Sequence, residues 1–210
     1  IVISEAAMQT EKESTGNPEI YKSWIQAEYC YNVSEAWPKE LFPEAKYTLF
    51  RECGCLVTSM AIMLRHFGIE KEENELLFNP WVFNQRLIAE NAFLPSADLN
   101  IEEIRKLYPL VYIGYLPYSK ENLLMVIRTG QPFLITVPGV RGARHFVVPD
   151  HLTEDDMAVI DCAWEKKFLS EFDEILEIRV FHAADIESPG DSYEVLKKHV
   201  ISEGLMYQEK

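Results

Sequence analysis

Gly54-Cys55 opens the most apolar helical pattern in the chain, and the chemistry begins with that cysteine. Val57, Met60, Ala61 and Leu64 recur at i, i+3, i+4 and i+7, flanked by Leu56, Met63 and Phe67, and Gly68 supplies a stop signal. A helix this apolar must be central, so Cys55 lies in the first turn of a buried element. Unpaired backbone N–H groups and the positive end of the helix dipole favour a thiolate there. A buried cysteine at a helix start is commonplace in itself. To act as a nucleophile it needs an imidazole to take its proton and a third group to fix that imidazole.

Five histidines compete for the imidazole role. His66 rides on the same helix, 66 − 55 = 11 residues further on, about 16 Å away at the helical rise, which excludes it. His199 belongs to a Lys-Lys-His-Val helix, His182 follows a strand without a matching acid, and His151 sits in a loop. His145 opens a hydrophobic strand after the 139–142 loop. With the next turn centred on Thr153, hairpin pairing sets it opposite position 306 − 145 = 161, which is Asp161. Directly opposed residues share a face with Cβ atoms ~5 Å apart. Asp161 is therefore expected to accept Nδ1–H from His145, leaving Nε2 for Cys55; an ordinary surface His–Asp pair is the alternative.

The elements that must position these residues follow from periodicity. Residues 1–18 are polar and read as a flexible N-terminal arm; residues 19–210 read as one domain. From Tyr21 to Phe50, dense aromatic residues and prolines predict a long irregular segment packed on a core. Shorter helical patterns fill 74–108, with Asn100 as a cap. Strands are expected at Leu110–Leu116, Pro132–Val137 and Ile175–Phe181, with a hairpin of His145–Val148 and Met157–Asp161. Helices at Ser119–Arg128 and Ser192–Met206 complete the reading, the second closing the domain. Helix first and sheet afterwards indicates an α+β class.

Composition narrows the function. The balance of 20 basic against 34 acidic residues is −14, a field that repels nucleic acid and attracts basic peptides. The longest stretch without a charge, Leu107–Ser119, is 13 residues, short of the ~20 that span a bilayer. Four cysteines are too few for a disulfide scaffold and lack zinc-site spacing, and there is no phosphate loop. No metal and no organic cofactor is implied.

The run Glu52-Cys53-Gly54-Cys55-Leu56-Val57-Thr58-Ser59-Met60-Ala61-Ile62-Met63-Leu64-Arg65-His66-Phe67-Gly68 resembles the nucleophile helix of the C39-like, papain-fold cysteine peptidases. Gly130-Gln131-Pro132-Phe133-Leu134-Ile135, His145-Phe146-Val147-Val148 and Ile160-Asp161 resemble that family's later strands, in the same order. The likeness runs from about Gln26 to beyond Asp161. It implies a papain-like fold, with a nucleophile-bearing helix on a mostly antiparallel sheet, and hydrolysis of peptide or related amide bonds through a thioacyl-enzyme. It also selects Cys55 over Cys53, since the family's small residue falls six after the nucleophile and its glycine thirteen after, at Ala61 and Gly68. Cys53 is then expected to pack, or to pair with Cys30 in an oxidising compartment. The resemblance assigns Gln26, 29 residues before Cys55, as the side chain donating to the oxyanion, and implies a secreted or cell-surface bacterial location, with the cytoplasm as the alternative. The chain departs from the pattern at Met60-Ala61-Ile62, at Pro149-Asp150 and at Cys162, which stands where proline is common. Two other functions fit the same resemblance: an amidase or acyltransferase on cell-wall or thiol peptides, and a catalytically silent papain-like binding domain.

Overall fold

The computed structural model describes residues 19–27 and 35–203. The arm at 1–18, the end of the last expected helix and Cys30 with its expected pairing lie outside them; Cys53 is a free thiol.

The fold is α+β, and its sheet is antiparallel throughout. Its strands are β1 (Leu110–Pro117), β2 (Phe133–Pro138), β3 (Arg144–Leu152), β4 (Met157–Asp161) and β5 (Glu177–Ala183), in the order β1-β5-β2-β3-β4. Phe133–Val137 of β2 is buried on both faces, as expected of a strand covered from both sides. Two apolar layers cover it. On one face Leu134, Phe146, Val148, Ile160 and Phe181 join a cluster with the long central helix and the aromatic segment before it. On the other, Ile135, Val147, Val159 and Ile178 join a cluster with Leu123, Val126, Leu196 and Val200.

The helices are α1 (Phe50–Cys53), α2 (Cys55–His66), α3 (Pro80–Ala89), α4 (Lys120–Thr129) and α5 (Ser192–Ser202). Every residue of α2 from Val57 to Leu64 is buried, which explains why its apolar residues run around the whole circumference. Gly68 ends this region at φ 67° and Gly130 ends α4 at φ 66°, left-handed positions that suit glycine. Asn79 and Ser119 cap α3 and α4 by accepting the backbone N–H of Val82 and Asn122. Asn100 caps as expected, but the turn behind it, Ile101–Lys106, is 3-10 rather than α. The aromatic segment is irregular and packed: Trp24 and Trp37 are buried, and Trp37 stacks on Phe50 at 5.6 Å.

β3 is longer than the sequence pattern suggests, and His151 lies within it rather than in a loop. His182 is likewise inside β5, stacked on Tyr193 at 4.1 Å.

Candidate active site

Cys55 is the first residue of α2, and the backbone before it turns tightly. Gly54 donates its N–H to the Phe50 carbonyl at 2.6 Å, and a Cβ on Gly54 would lie 2.6 Å from that same oxygen and from the Phe50 ring. Only glycine fits, which places the cysteine at the helix start without any side-chain cap. Further along α2, Ser59 donates its hydroxyl to the Phe146 carbonyl at 2.7 Å, tying the helix to β3 where the candidate histidine lies.

The half-buried Cys55 thiol donates to the Arg144 carbonyl at 3.8 Å. Burial pushes its pKa up to about 11, against backbone N–H groups of Leu56, Cys55 and Phe146 that favour the thiolate, while Asp161 disfavours it. The sulfur thus sits against the two backbone neighbours of His145. Among the described residues no hydrogen bond joins it to the imidazole.

His145 and Asp161, 4% and 6% exposed, are paired: Nε2 of His145 lies 2.7 Å from Oδ1 of Asp161. This corrects the expected tautomer. The carboxylate takes Nε2, and Nδ1 carries no hydrogen bond to a described residue. The pairing register also differs. Asp161 stands opposite Val147, not His145, because the turn runs through Thr153–Asp156 and is closed by Thr153 N–H on the Asp156 carbonyl. His145 and Asp161 are therefore diagonal neighbours, a separation of ~7–8 Å at Cα that long side chains bridge.

A bulge keeps them on one face. Near the turn, His151 pairs with Ala158 and Leu152 with Met157; past the irregularity at Asp150, Pro149 pairs with Val159 and Val147 with Asp161. Without the extra residue, the turn-side register would set Val148 opposite Asp161, and the acid would face away from position 145. Asp150 is also anchored, to Lys22 at 3.0 Å and to His151 at 3.2 Å.

Asp161 is held as an anion. Burial alone would raise its pKa. The imidazole and the backbone N–H groups of Ala163, at 2.9 Å, and Trp164, at 3.2 Å, outweigh this and hold it below the usual carboxylate value. Lys166 N–H adds a contact at 3.3 Å. Trp164, which the pattern reading did not single out, covers the pair with its ring 4.4 Å from that of His145. The run of backbone donors after Asp161 is a turn closing on the acid, and it brings the tryptophan back over the imidazole.

Gln26 reaches the site from the aromatic segment. Its backbone N–H donates to the Cys162 carbonyl at 2.9 Å, and its side-chain Nε2 donates to the Arg51 carbonyl at 2.9 Å, just before Gly54-Cys55. It is 9% exposed. Cys162 was also not singled out as a site residue. Its fully buried thiol lies 3.8 Å from Gln26 Oε1 and 3.7 Å from the Cys55 carbonyl.

His145, Asp161 and Cys162 place their donor atoms within 4.8 Å of one another, a spread compatible with a metal ion. Those groups are already engaged, however: the carboxylate accepts from the imidazole and from backbone N–H groups, and burial drives the Cys162 thiol strongly towards its neutral form. An open cleft of about 560 Å³ lies beside Asp161, lined by Ile20, Lys22 and Ile25 on one side and Glu165 and Lys167 on the other. Among the described residues no helix is long and apolar enough to cross a membrane.

The class that fold and site define is an α+β domain with a helix-start cysteine beside a buried histidine–carboxylate pair. No protein-family model, no curated protein and no solved structure matches this chain.

Proposed function

We propose that the chain is a cysteine hydrolase of the papain-like, C39-like kind, cleaving peptide or related amide bonds. One observation carries the reading: the first residue of a buried helix is a cysteine whose sulfur rests on the backbone on either side of His145, while His145 is held by Asp161 at 2.7 Å. The resting thiol is protonated, so attack is coupled to proton transfer. As Cys55 Sγ bonds to the substrate carbonyl carbon, its proton passes to His145 Nδ1, and the carbonyl oxygen becomes an oxyanion. The Cys55 backbone N–H and the Gln26 side-chain amide face that charge. His145 then protonates the leaving amine, the C–N bond breaks, and a thioester remains on Cys55. Water, deprotonated by the same imidazole, releases the acid and restores the thiol. Asp161 orients the ring and stabilises its cation throughout.

The net charge of −14 supports a basic peptide as the partner encountered most readily. An amidase or acyltransferase would share every step up to the thioester and differ in the acceptor.

A second reading, a papain-like domain that binds without catalysis, draws on the same thiol. Its hydrogen bond goes to the Arg144 carbonyl, and burial raises its pKa. One experiment separates the two readings. A peptide library is incubated with the wild-type chain and with Cys55→Ala, and products are read by mass spectrometry. Cleavage that requires Cys55 supports the hydrolase; transfer products without hydrolysis indicate the acyltransferase; binding without turnover by either protein indicates the silent domain.

A further inference from the structure

We propose that Cys162 is a positioning residue that sets the side-chain amide of Gln26 for the oxyanion. The inference rests on the hydrolase reading above and concerns how its oxyanion site is built. Cys162 follows Asp161 at the end of β4, and its sulfur is fully buried among three oxygen atoms: Ser59 Oγ at 3.5 Å, the Cys55 carbonyl at 3.7 Å and Gln26 Oε1 at 3.8 Å. Ser59 commits its own proton to the Phe146 carbonyl at 2.7 Å. The only proton available among those three oxygens is therefore the one on sulfur. A thiol kept neutral by burial is a donor, whereas a thiolate would repel all three.

That donor and the Arg51 carbonyl act from opposite ends of the Gln26 amide and favour the same orientation. With S–H directed at Oε1, the NH₂ end turns to the Arg51 carbonyl at 2.9 Å. An amide nitrogen has two N–H bonds, so the second is left for a ligand at the start of α2. In the flipped amide, the oxygen would oppose the Arg51 carbonyl, the NH₂ would meet the thiol in place of an acceptor, and the thiol proton would be left to the Cys55 carbonyl or Ser59 Oγ. The main chains of the same two residues are joined separately, Gln26 N–H to the Cys162 carbonyl at 2.9 Å. Removing the sulfur therefore leaves the segment tethered while freeing one end of the amide, along with the contacts to Ser59 Oγ and the Cys55 carbonyl. The sequence alternative at this position, proline, would offer no side-chain donor.

The test compares two reactions at Cys55 in the full chain. Acylation by p-nitrophenyl acetate passes through an oxyanion; alkylation by iodoacetamide displaces iodide and forms none. Cys162→Ala is expected to slow acylation on the order of tenfold, a fraction of the 10²–10³ that loss of a whole oxyanion donor costs, with alkylation unchanged. Cys162→Ser, which keeps a donor, is expected to recover most of the acylation rate and remains available should the alanine variant fold poorly. In a Gln26→Ala background, Cys162→Ala should change nothing further. Equal slowing of both reactions, or an undiminished Cys162 effect without Gln26, would overturn the positioning role. Wild-type protein that is alkylated at Cys55 but never acylated would instead overturn the hydrolase reading, and the proposal with it.

Discussion

His145 and Asp161 are diagonal neighbours across β3 and β4, joined at 2.7 Å through Nε2, and the bulge at Asp150 keeps them on a common face. Asp161→Asn keeps the shape but exchanges half of the carboxylate for an amide that cannot accept. On the hydrolase reading, acylation of Cys55 should fall by roughly 10²–10⁴ while iodoacetamide alkylation changes much less. Stopped-flow kinetics on both reagents checks this.

The same carboxylate ties acid stability to the site. Its folded pKa is depressed, so its contribution is present in full above the unfolded value of about 3.9 and is lost as pH falls through the folded value. Urea unfolding of the wild type should therefore lose stability below about pH 4. The Asp161→Asn curve should be flatter over that window; equal slopes for the two proteins would contradict the pairing.

Cys55 should behave as a weak acid until substrate arrives. With burial raising its pKa to about 11, the thiolate fraction grows about tenfold per pH unit below that value. The iodoacetamide rate at Cys55 should climb accordingly between about pH 7 and 10. A flat profile across that range would indicate a preformed thiolate–imidazolium pair.

Alkaline stability is a separate readout of buried thiols. Burial, first among the causes in each case, raises Cys53 to about 12, Cys55 to about 11 and Cys162 further still. The unfolded chain releases these protons near pH 8.5 and the folded chain keeps them, so stability declines as pH rises past that point. The full slope is about 1.4 kcal/mol per pH unit for each such thiol. Cys162→Ser should make the fall in urea midpoint between about pH 8.5 and 10 shallower.

Gly54→Ala tests the junction that delivers the nucleophile. The added methyl meets the Phe50 carbonyl and ring at 2.6 Å, and backbone cannot yield as a flexible side-chain end would. A loss of about 1–3 kcal/mol is expected, the usual cost of overpacking, together with slower Cys55 modification. Thermal unfolding and alkylation rates measure the two effects.

What could be read without coordinates follows from short-range rules. The apolar run from Leu56 to Leu64, bounded by Gly54 and Gly68, permits little except a buried helix with Cys55 at its start, and helix geometry alone removes His66 as partner. The strands and α4 were legible for the same reason: alternation, caps and glycine stops act within a few residues. Asp161 was also identified as the acid nearest His145, because parity survives an error of two in register.

Tertiary structure decided the rest. The bulge at Asp150 and the four-residue turn after Leu152 carry no periodic signal, so the true partner of Asp161, Val147, and the choice of Nε2 over Nδ1 emerge only when β3 and β4 are paired. The meeting of Gln26, Cys55, Ser59 and Cys162 depends on contacts across 25 to 136 positions of chain. Local propensity has no term for such separations. They are set by how the apolar face of α2 and the aromatic segment bury themselves against one sheet, and the polar groups left at that seam find partners only there.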